Sequence, residues 1–179
     1  KKTTFLFVGR FLILKGIRLF VNASVMVNQM YKDTKFLAIG EFTEDKYSIS
    51  KKELQNWKSE NIVQFIKPVN DIRKIIKKSD CIVLPTSYPE GINRSILEAI
   101  SMGKPSITNK IGGCTHLIKN NFNGYIKNIK NEKDLANMMI KFHNLSNKDK
   151  LRFSTNGRKF VEKNFNEENI IRKYLKDFK

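Results

Sequence analysis

Residues 81–102 read CIVLPTSYPEGINRSILEAISM, and this stretch predicts a strand, a loop and a helix in that order. The apolar run Cys81–Leu84 stops at a proline, which is typical of a short buried strand. Pro89 and Gly91 indicate a tight loop, and a helical pattern extends over Asn93–Met102. A strand followed by a crossover helix is the building unit of a parallel sheet that helices cover on both faces.

The same unit recurs on both sides of this stretch. Six short apolar runs have strand character: Phe5–Val8, Phe36–Ile39, Ile62–Ile66, Cys81–Leu84, Ser106–Thr108 and Gly124–Ile126. Helical patterns lie between nearly all of them: Gly16–Tyr31, Ser50–Ser59, Asp71–Ser79, Asn93–Met102 and Gly113–Lys119. After the last strand we expect helices: Glu132–Asn144, Lys148–Asn164 and Glu167–Phe178. The sequence therefore predicts an α/β fold, a doubly wound, Rossmann-like parallel six-stranded sheet with C-terminal helices.

The length of the chain fits one domain. Its 179 residues can bury one core and are too few for two domains of ordinary size, so we predict a single domain over residues 1–179. Because Lys1 and Lys2 precede the first strand without an initiator Met, we expect a boundary to a preceding domain there. We see neither a membrane-spanning apolar stretch of roughly 18–20 residues nor a signal-peptide pattern, and we expect a cytoplasmic location.

Charge and cysteine content narrow the function classes without choosing one. The formal net charge is +17, from 34 basic and 17 acidic residues. This surplus favours an anionic partner: a nucleic acid, a phosphorylated ligand or an anionic membrane surface. Ordinary solvated surface would also account for many of these cations, so the charge alone selects no partner. Cys81 and Cys114 match no metal-binding spacing, and we expect two reduced thiols.

The expected site lies at one edge of the predicted sheet. In doubly wound sheets a ligand binds beyond the carboxyl ends of the strands, where the strand order reverses. For the common order 3-2-1-4-5-6 that place lies between strands one and four. The residues that follow Val8 and Leu84 are therefore the first candidates for a binding site.

After strand one the chain continues as GRFLILKG, residues 9–16, and a helix is expected to begin at its end. Arg10 and Lys15 would lie beside the unpaired N–H groups of that helix, an arrangement that suits a diphosphate. The dinucleotide fingerprint Gly-x-Gly-x-x-Gly and the P-loop pattern are both absent, which disfavours a nicotinamide dehydrogenase and an ordinary NTPase. Without the rest of the sequence, Arg10 and Lys15 would be explained equally well as ordinary surface charges of a basic chain.

After strand four, two glutamates stand eight positions apart. Glu90 lies on the predicted loop and Glu98 in the early part of the helix, whose side chains lean back toward its N-terminus. A carboxylate accepts two hydrogen bonds at once, which suits neighbouring hydroxyls of a sugar or a ribose. Without their context, the two glutamates would be interpreted as solvated surface charges. The prediction of a binding site therefore depends on the strand, loop and helix that surround them. We expect Arg10, Lys15, Glu90 and Glu98 to surround one crevice.

On these motifs the chain resembles the C-terminal, donor-binding domain of a glycosyltransferase family 4 enzyme (glycosyl transferases group 1) of GT-B fold. The resemblance runs from the first strand to the last helix. The matching motifs are Val8-Gly9-Arg10 with Lys15-Gly16, residues 79–87, Glu90-x7-Glu98, Gly103-Lys104-Pro105, Gly112-Gly113 and Asn123-Gly124. The resemblance implies that Arg10 and Lys15 hold the donor diphosphate and stabilise the leaving nucleotide, and that Glu90 binds the hydroxyls of the donor sugar.

The remaining roles implied by the resemblance concern substrate binding. Glu98 would bind the ribose, and the base would lie near Val69 and Asp71. The backbone N–H groups at Gly91, Ile92 and Asn93 would meet the phosphate or the sugar, and Gly9 belongs to the same binding set. Two departures stand out: Phe65-Ile66-Lys67-Pro68 replaces a usual Phe-Leu-Gly, which leaves the base open, and His116 replaces an acid. We therefore carry no catalytic role onto His116.

The implied activity is a retaining, metal-independent transfer of a hexose or N-acetylhexosamine, without a cofactor. The resemblance implies a nucleotide-sugar donor, a UDP-sugar, and as acceptor a glycan or a lipid-linked sugar of surface polysaccharide. The implied partners are a separate N-terminal acceptor domain, to which residues 164–179 would cross back, and an anionic membrane contacted peripherally at its inner face. A GT-B nucleotide-sugar epimerase remains an alternative. A basic nucleic-acid-binding domain is a further one, disfavoured by the core-like positions of the aromatic residues.

Overall fold

The computed structural model describes residues 2–168 together with 171 and 175. Within these residues six strands form one parallel sheet in the order β3-β2-β1-β4-β5-β6. The strands are β1 Thr3–Val8, β2 Thr34–Ile39, β3 Val63–Ile66, β4 Cys81–Leu84, β5 Ser106–Asn109 and β6 Gly124–Lys127. The predicted fold class and strand order are confirmed.

Helices connect the strands and complete the domain. They are α1 Ile17–Met30, α2 Lys51–Glu60, α3 Arg73–Lys78, α4 Arg94–Ser101, α5 Cys114–Leu117, α6 Glu132–His143 and α7 Asn147–Asn164, with a short 3-10 helix at Ile13–Lys15. Most of the predicted helix Glu167–Phe178 lies outside the described residues, and so does most of the segment 164–179 assigned to an interdomain crossing.

Side chains at the helix starts explain why several helices begin where they do. An oxygen of each capping side chain accepts a hydrogen bond from a backbone N–H three residues later, which satisfies a group that the helix itself leaves unpaired. The capping residues are Ser50 for α2, Asn93 for α4, Asn131 for α6 and Ser146 for α7.

The central strands are buried on both faces, as a parallel sheet between two helical layers requires. One layer packs Phe5, Phe7 and Phe36 against residues of α1, α2 and α6. On the other side, Leu6 and Ile82 pack with Ile76 of α3 and Ala99 of α4. This double burial fixes the sheet and so fixes where its carboxyl edge presents the loops after β1 and β4.

Candidate functional site

The loops that follow β1 and β4 are held together at the carboxyl edge of the sheet. The two strands are parallel neighbours, and Ser87 N donates to the carbonyl of Leu14 at 2.8 Å, while Thr86 Oγ1 donates to the same oxygen at 3.1 Å. Gly16 has φ +83° and lies so close to the Pro85 carbonyl that a Cβ would clash with it. The glycine is therefore required for the close approach of these two loops.

Three of the predicted residues line one cavity at this edge. Arg10, Lys15 and Glu90 surround a volume of about 520 Å³. The other lining residues are Leu12, Leu14, Asp45, Tyr47 and Tyr88. The structure thus brings the two predicted cations and the first glutamate together.

Glu98 lies in a second cavity and not in the same one. It lines a volume of about 560 Å³ with Asp71, Asn70 and Ile72, because its position on α4 faces the start of α3. In this structure Arg10, Lys15 and Glu90 line one cavity and Glu98 lines another, and the expectation that all four surround one crevice stays a prediction. The grouping of Glu98 with Asp71 keeps the predicted ribose-binding and base-binding residues next to each other.

Lys15 and Glu90 form an ion pair inside the first cavity. Lys15 Nζ lies 2.8 Å from both carboxylate oxygens, and the two side chains are only 16% and 25% exposed. Lys15 Nζ also lies 5.6 Å from the centre of the Tyr88 ring. Asn93 Nδ2 donates to Glu90 Oε1 at 2.7 Å. The carboxylate is therefore fixed by two side-chain donors on different loops.

Two glycines hold the backbone of the Glu90 loop. Gly113 N donates to the Glu90 carbonyl at 2.9 Å. Gly112 has φ +46°, and a Cβ there would lie 2.6 Å from the same carbonyl oxygen. A Cβ on Gly113 would clash with the Gly91 carbonyl. The pair Gly112-Gly113 thus lets the loop carrying Glu90 lie directly on the start of α5.

The turn into α4 is open on its outer side. A Cβ added to Gly91 would meet no atom within 4 Å, and the Ile92 side chain is 42% exposed. Asn93 is 5% exposed and caps α4 through Oδ1, which accepts from Ile96 N at 3.0 Å. A ligand can therefore approach the backbone of this turn and the N-terminus of α4.

The remaining predicted residues lie on the neighbouring loops. Gly9 N donates to Ile39 O at 3.1 Å, so the start of the Arg10 loop is tied to β2. Val69 is 44% exposed after β3. The Asp71 carboxylate accepts from Nε and Nη2 of Arg73 at 2.8 and 3.1 Å, and these hydrogen bonds lower the pKa of Asp71.

The segment between β2 and α2 adds a wall that sequence reasoning missed. Ile13 N donates to Tyr47 O at 2.8 Å and Ile49 N donates to Phe11 O at 3.3 Å, so this segment follows the loop after β1. Asp45 and Tyr47 thereby reach the first cavity. Hydrogen bonds from the Tyr47 N–H and the Thr43 hydroxyl lower the pKa of Asp45, with a smaller contribution from the Arg10 charge. No local motif could have placed these residues, because tertiary hydrogen bonds set the course of the segment.

Within the described residues there is neither a metal-binding cluster nor a membrane-spanning helix. In residues 2–168 with 171 and 175, no group of three or more His, Cys, Asp or Glu side chains could hold a metal ion. Over the same part of the chain, no helix is long and apolar enough to cross a membrane.

The fold and this arrangement of loops define a Rossmann-like domain of the kind found in GT-B glycosyltransferases. The chain belongs to the family described as glycosyl transferases group 1, whose sequence model matches residues 1–160. The resemblance drawn from the motifs is therefore confirmed.

Relatives and solved structures agree with this assignment. The chain is 30% identical over 177 residues to the N,N'-diacetylbacillosaminyl-diphospho-undecaprenol alpha-1,3-N-acetylgalactosaminyltransferase of Campylobacter jejuni. The aligned region covers 98% of this chain and 44% of that protein. It is 30% identical over 155 residues to the UDP-Gal:alpha-D-GlcNAc-diphosphoundecaprenol alpha-1,3-galactosyltransferase of Escherichia coli, covering 79% and 37%. The chain spans less than half the length of both relatives.

The fold also matches a solved structure. The crystal structure of Anabaena HepE in complex with UDP-glucose superposes with a TM-score of 0.83 at 22% identity, covering 99% of this chain and 49% of HepE. At this identity the similarity establishes the fold.

Proposed function

We propose that this domain binds a UDP-sugar as the donor half of a retaining glycosyltransferase. The enzyme transfers a hexose or N-acetylhexosamine to a glycan or lipid-linked acceptor. The observation that carries the proposal is the Lys15–Glu90 ion pair in one cavity with Arg10. The C. jejuni and E. coli relatives are named for sugar transfer to diphosphoundecaprenol-linked sugars, and the E. coli name gives UDP-Gal as donor.

The cations Arg10 and Lys15 supply the charge that a diphosphate needs. Both line the cavity, and Lys15 is largely screened from solvent, where an electrostatic contact is stronger than in bulk water. In the proposed reaction these two side chains stabilise the negative charge that develops on the leaving nucleotide. On this proposal the reaction needs neither a metal ion nor another cofactor.

The two glutamates bind different parts of the donor, the sugar and the nucleoside. Glu90, beside Lys15, accepts hydrogen bonds from donor-sugar hydroxyls, and Glu98 accepts from the ribose. The base lies near Val69 and Asp71. The backbone N–H groups of the Gly91–Asn93 turn meet the phosphate or sugar, and Gly9 belongs to the same substrate-binding set.

The acceptor belongs to a facing domain of the full-length enzyme. This proposal follows from the fact that the chain spans less than half the length of its two relatives. A second partner is an anionic membrane, contacted peripherally at its cytoplasmic face, where a polyprenyl-linked acceptor would lie. The surplus of basic residues supports this contact. We propose no nucleic-acid partner.

A thermal-shift screen of UDP-, GDP- and ADP-sugars tests the proposed donor. At a ligand concentration of ten times Kd, binding stabilises the fold by about 1.4 kcal/mol, which raises Tm by about 3–5 °C for a domain of this size. We expect UDP and at least one UDP-sugar to raise Tm in the wild type and to lose this effect in Lys15→Ala.

The matched control is Lys32→Ala, which removes the same charge from an exposed position just before β2, at the opposite edge of the sheet. Its response to UDP should equal that of the wild type. A wild-type protein that no UDP compound stabilises, or a Lys15→Ala variant that responds normally, would contradict the proposal.

A further inference from the structure

The side chain of Asn93 makes two hydrogen bonds that join the helix start to Glu90. It is 5% exposed, so solvent hardly reaches it. Its Oδ1 accepts from Ile96 N at 3.0 Å, and its Nδ2 donates to Glu90 Oε1 at 2.7 Å. These partners fix the orientation of the amide. The Ile96 N–H is a donor and must face the amide oxygen, and the Glu90 carboxylate is an acceptor and must face the NH2 group.

We propose that Asn93 is a positioning residue that holds the Glu90 carboxylate in the orientation that receives the donor-sugar hydroxyls. The inference rests on the proposed function and adds a specificity-determining residue to it. The Asn93 side chain acts through Glu90 and not by touching the sugar, since it is buried and both ends of its amide are engaged, by the helix start and by the carboxylate.

The need for a second donor follows from the position of Lys15. In the structure Lys15 Nζ contacts both oxygens of Glu90. When a diphosphate binds, Lys15 divides its three donors between phosphate and carboxylate, so its hold on Glu90 weakens. The Asn93 amide does not face this competition, because Glu90 Oε1 is its partner and the helix cap fixes its place. Glu90 Oε2 then accepts hydrogen bonds from the sugar hydroxyls.

Asparagine is suited to this double role by its chemistry. Ser, Thr and Asp cap helices about as well as Asn, because capping needs only an acceptor oxygen. Of these, an aspartate has no donor for Glu90 and a serine is too short to span the gap from the cap to the carboxylate. The variant Asn93→Ser therefore keeps the cap and removes the hydrogen bond to Glu90.

The test measures discrimination and not binding alone. For wild type and Asn93→Ser, calorimetry gives Kd for UDP and for UDP-galactose, UDP-glucose, UDP-N-acetylgalactosamine and UDP-N-acetylglucosamine. The sugar factor is the Kd of UDP divided by the Kd of the UDP-sugar that the wild type binds most tightly. We expect Asn93→Ser to lower this factor by about tenfold, the effect of losing one hydrogen bond to a charged group, with a Tm close to that of the wild type.

A double-mutant cycle separates a positioning role from a direct contact. In the Glu90→Ala background, Asn93→Ser should leave the sugar factor unchanged, because the group it positions is gone. An equal loss in both backgrounds would show that the Asn93 side chain contacts the sugar itself, and an unchanged factor in Asn93→Ser alone would show a purely structural role. Either result overturns the inference.

The same titrations keep this inference apart from the proposed function. A wild-type protein that binds neither UDP nor any of the four UDP-sugars contradicts the proposed function and the inference together. A wild-type protein that discriminates among UDP-sugars, with an Asn93→Ser variant that discriminates equally well, contradicts the inference alone.

Discussion

Glu90 and Glu98 are chemically identical side chains in different surroundings. Glu90 is paired with Lys15 and Asn93, whereas Glu98 is exposed on α4 near Asp71. We predict that Glu98→Ala weakens UDP binding and that Glu90→Ala mainly weakens discrimination among sugars. A lost hydrogen bond to a charged group costs about 1.5–3 kcal/mol, and solvent exposure places Glu98 at the lower end. Calorimetry with UDP and a UDP-sugar measures both effects; equal losses of both ligands in both variants would contradict this division.

Cys81 and Cys114 are buried free thiols, and their burial raises the pKa of both, for Cys81 well above the usual value. A raised pKa lowers the fraction of thiolate at neutral pH, and the thiolate is the reactive form. We predict that a thiol reagent at pH 7.5 labels the native chain far more slowly than the chain unfolded in urea, where both thiols react. Rapid labelling of the native protein would show that the site edge near Cys114 opens readily.

Single residues were predictable where a motif marked them. Arg10, Lys15 and Glu90 lie in the connections that follow two neighbouring predicted strands, so the topology of the sheet places them in one cavity. Asp45 and Tyr47 lie in the irregular segment between β2 and α2, whose path depends on hydrogen bonds to the loop after β1. Nothing in their own neighbourhood of sequence indicates that path. The cavity that Glu98 faces depends in the same way on tertiary packing, here of α4 beside the start of α3, and the sequence did not show it.

Among the elements, the two site loops depend on Gly16. It has a positive φ and lies against the Pro85 carbonyl, so an alanine there is strained twice, by its backbone and by its Cβ. We predict that Gly16→Ala lowers the free energy of unfolding by about 2 kcal/mol or more. Urea denaturation measures it, and Gly91→Ala is the matched control, because its Cβ would meet no atom within 4 Å. Equal stability of the two variants would contradict the importance of the loop contact.

The boundaries of the elements were predicted within a few residues wherever an apolar run defined them. The range Cys81–Leu84 is the observed β4. Two short helices are shorter than predicted, because side chains redirect the backbone at their ends. Asp71 Oδ1 accepts from Arg73 N at 3.0 Å before α3, and Asn123 Oδ1 accepts from Lys119 N at 2.8 Å after α5. These are local hydrogen bonds from the backbone to a side chain, and a periodic pattern of apolar residues does not contain them.

The whole molecule carries a net charge of +17. Each Lys or Arg close to an anionic membrane contributes about 1 kcal/mol to binding, and salt screens this attraction beyond about 8 Å at physiological ionic strength. We predict that the chain sediments with liposomes that contain anionic lipid, more strongly at low salt than at physiological salt, and does not sediment with neutral phosphatidylcholine liposomes. Equal recovery with both kinds of liposome would contradict the proposed membrane contact.

In the proposed function, one UDP-sugar spans both cavities of the carboxyl edge. A crystal structure of this chain with a bound UDP-sugar would show this arrangement. We expect the diphosphate against Arg10 and Lys15, the sugar hydroxyls on Glu90, and the ribose on Glu98. A UDP-sugar bound elsewhere on the domain, with these four side chains free of ligand, would contradict it.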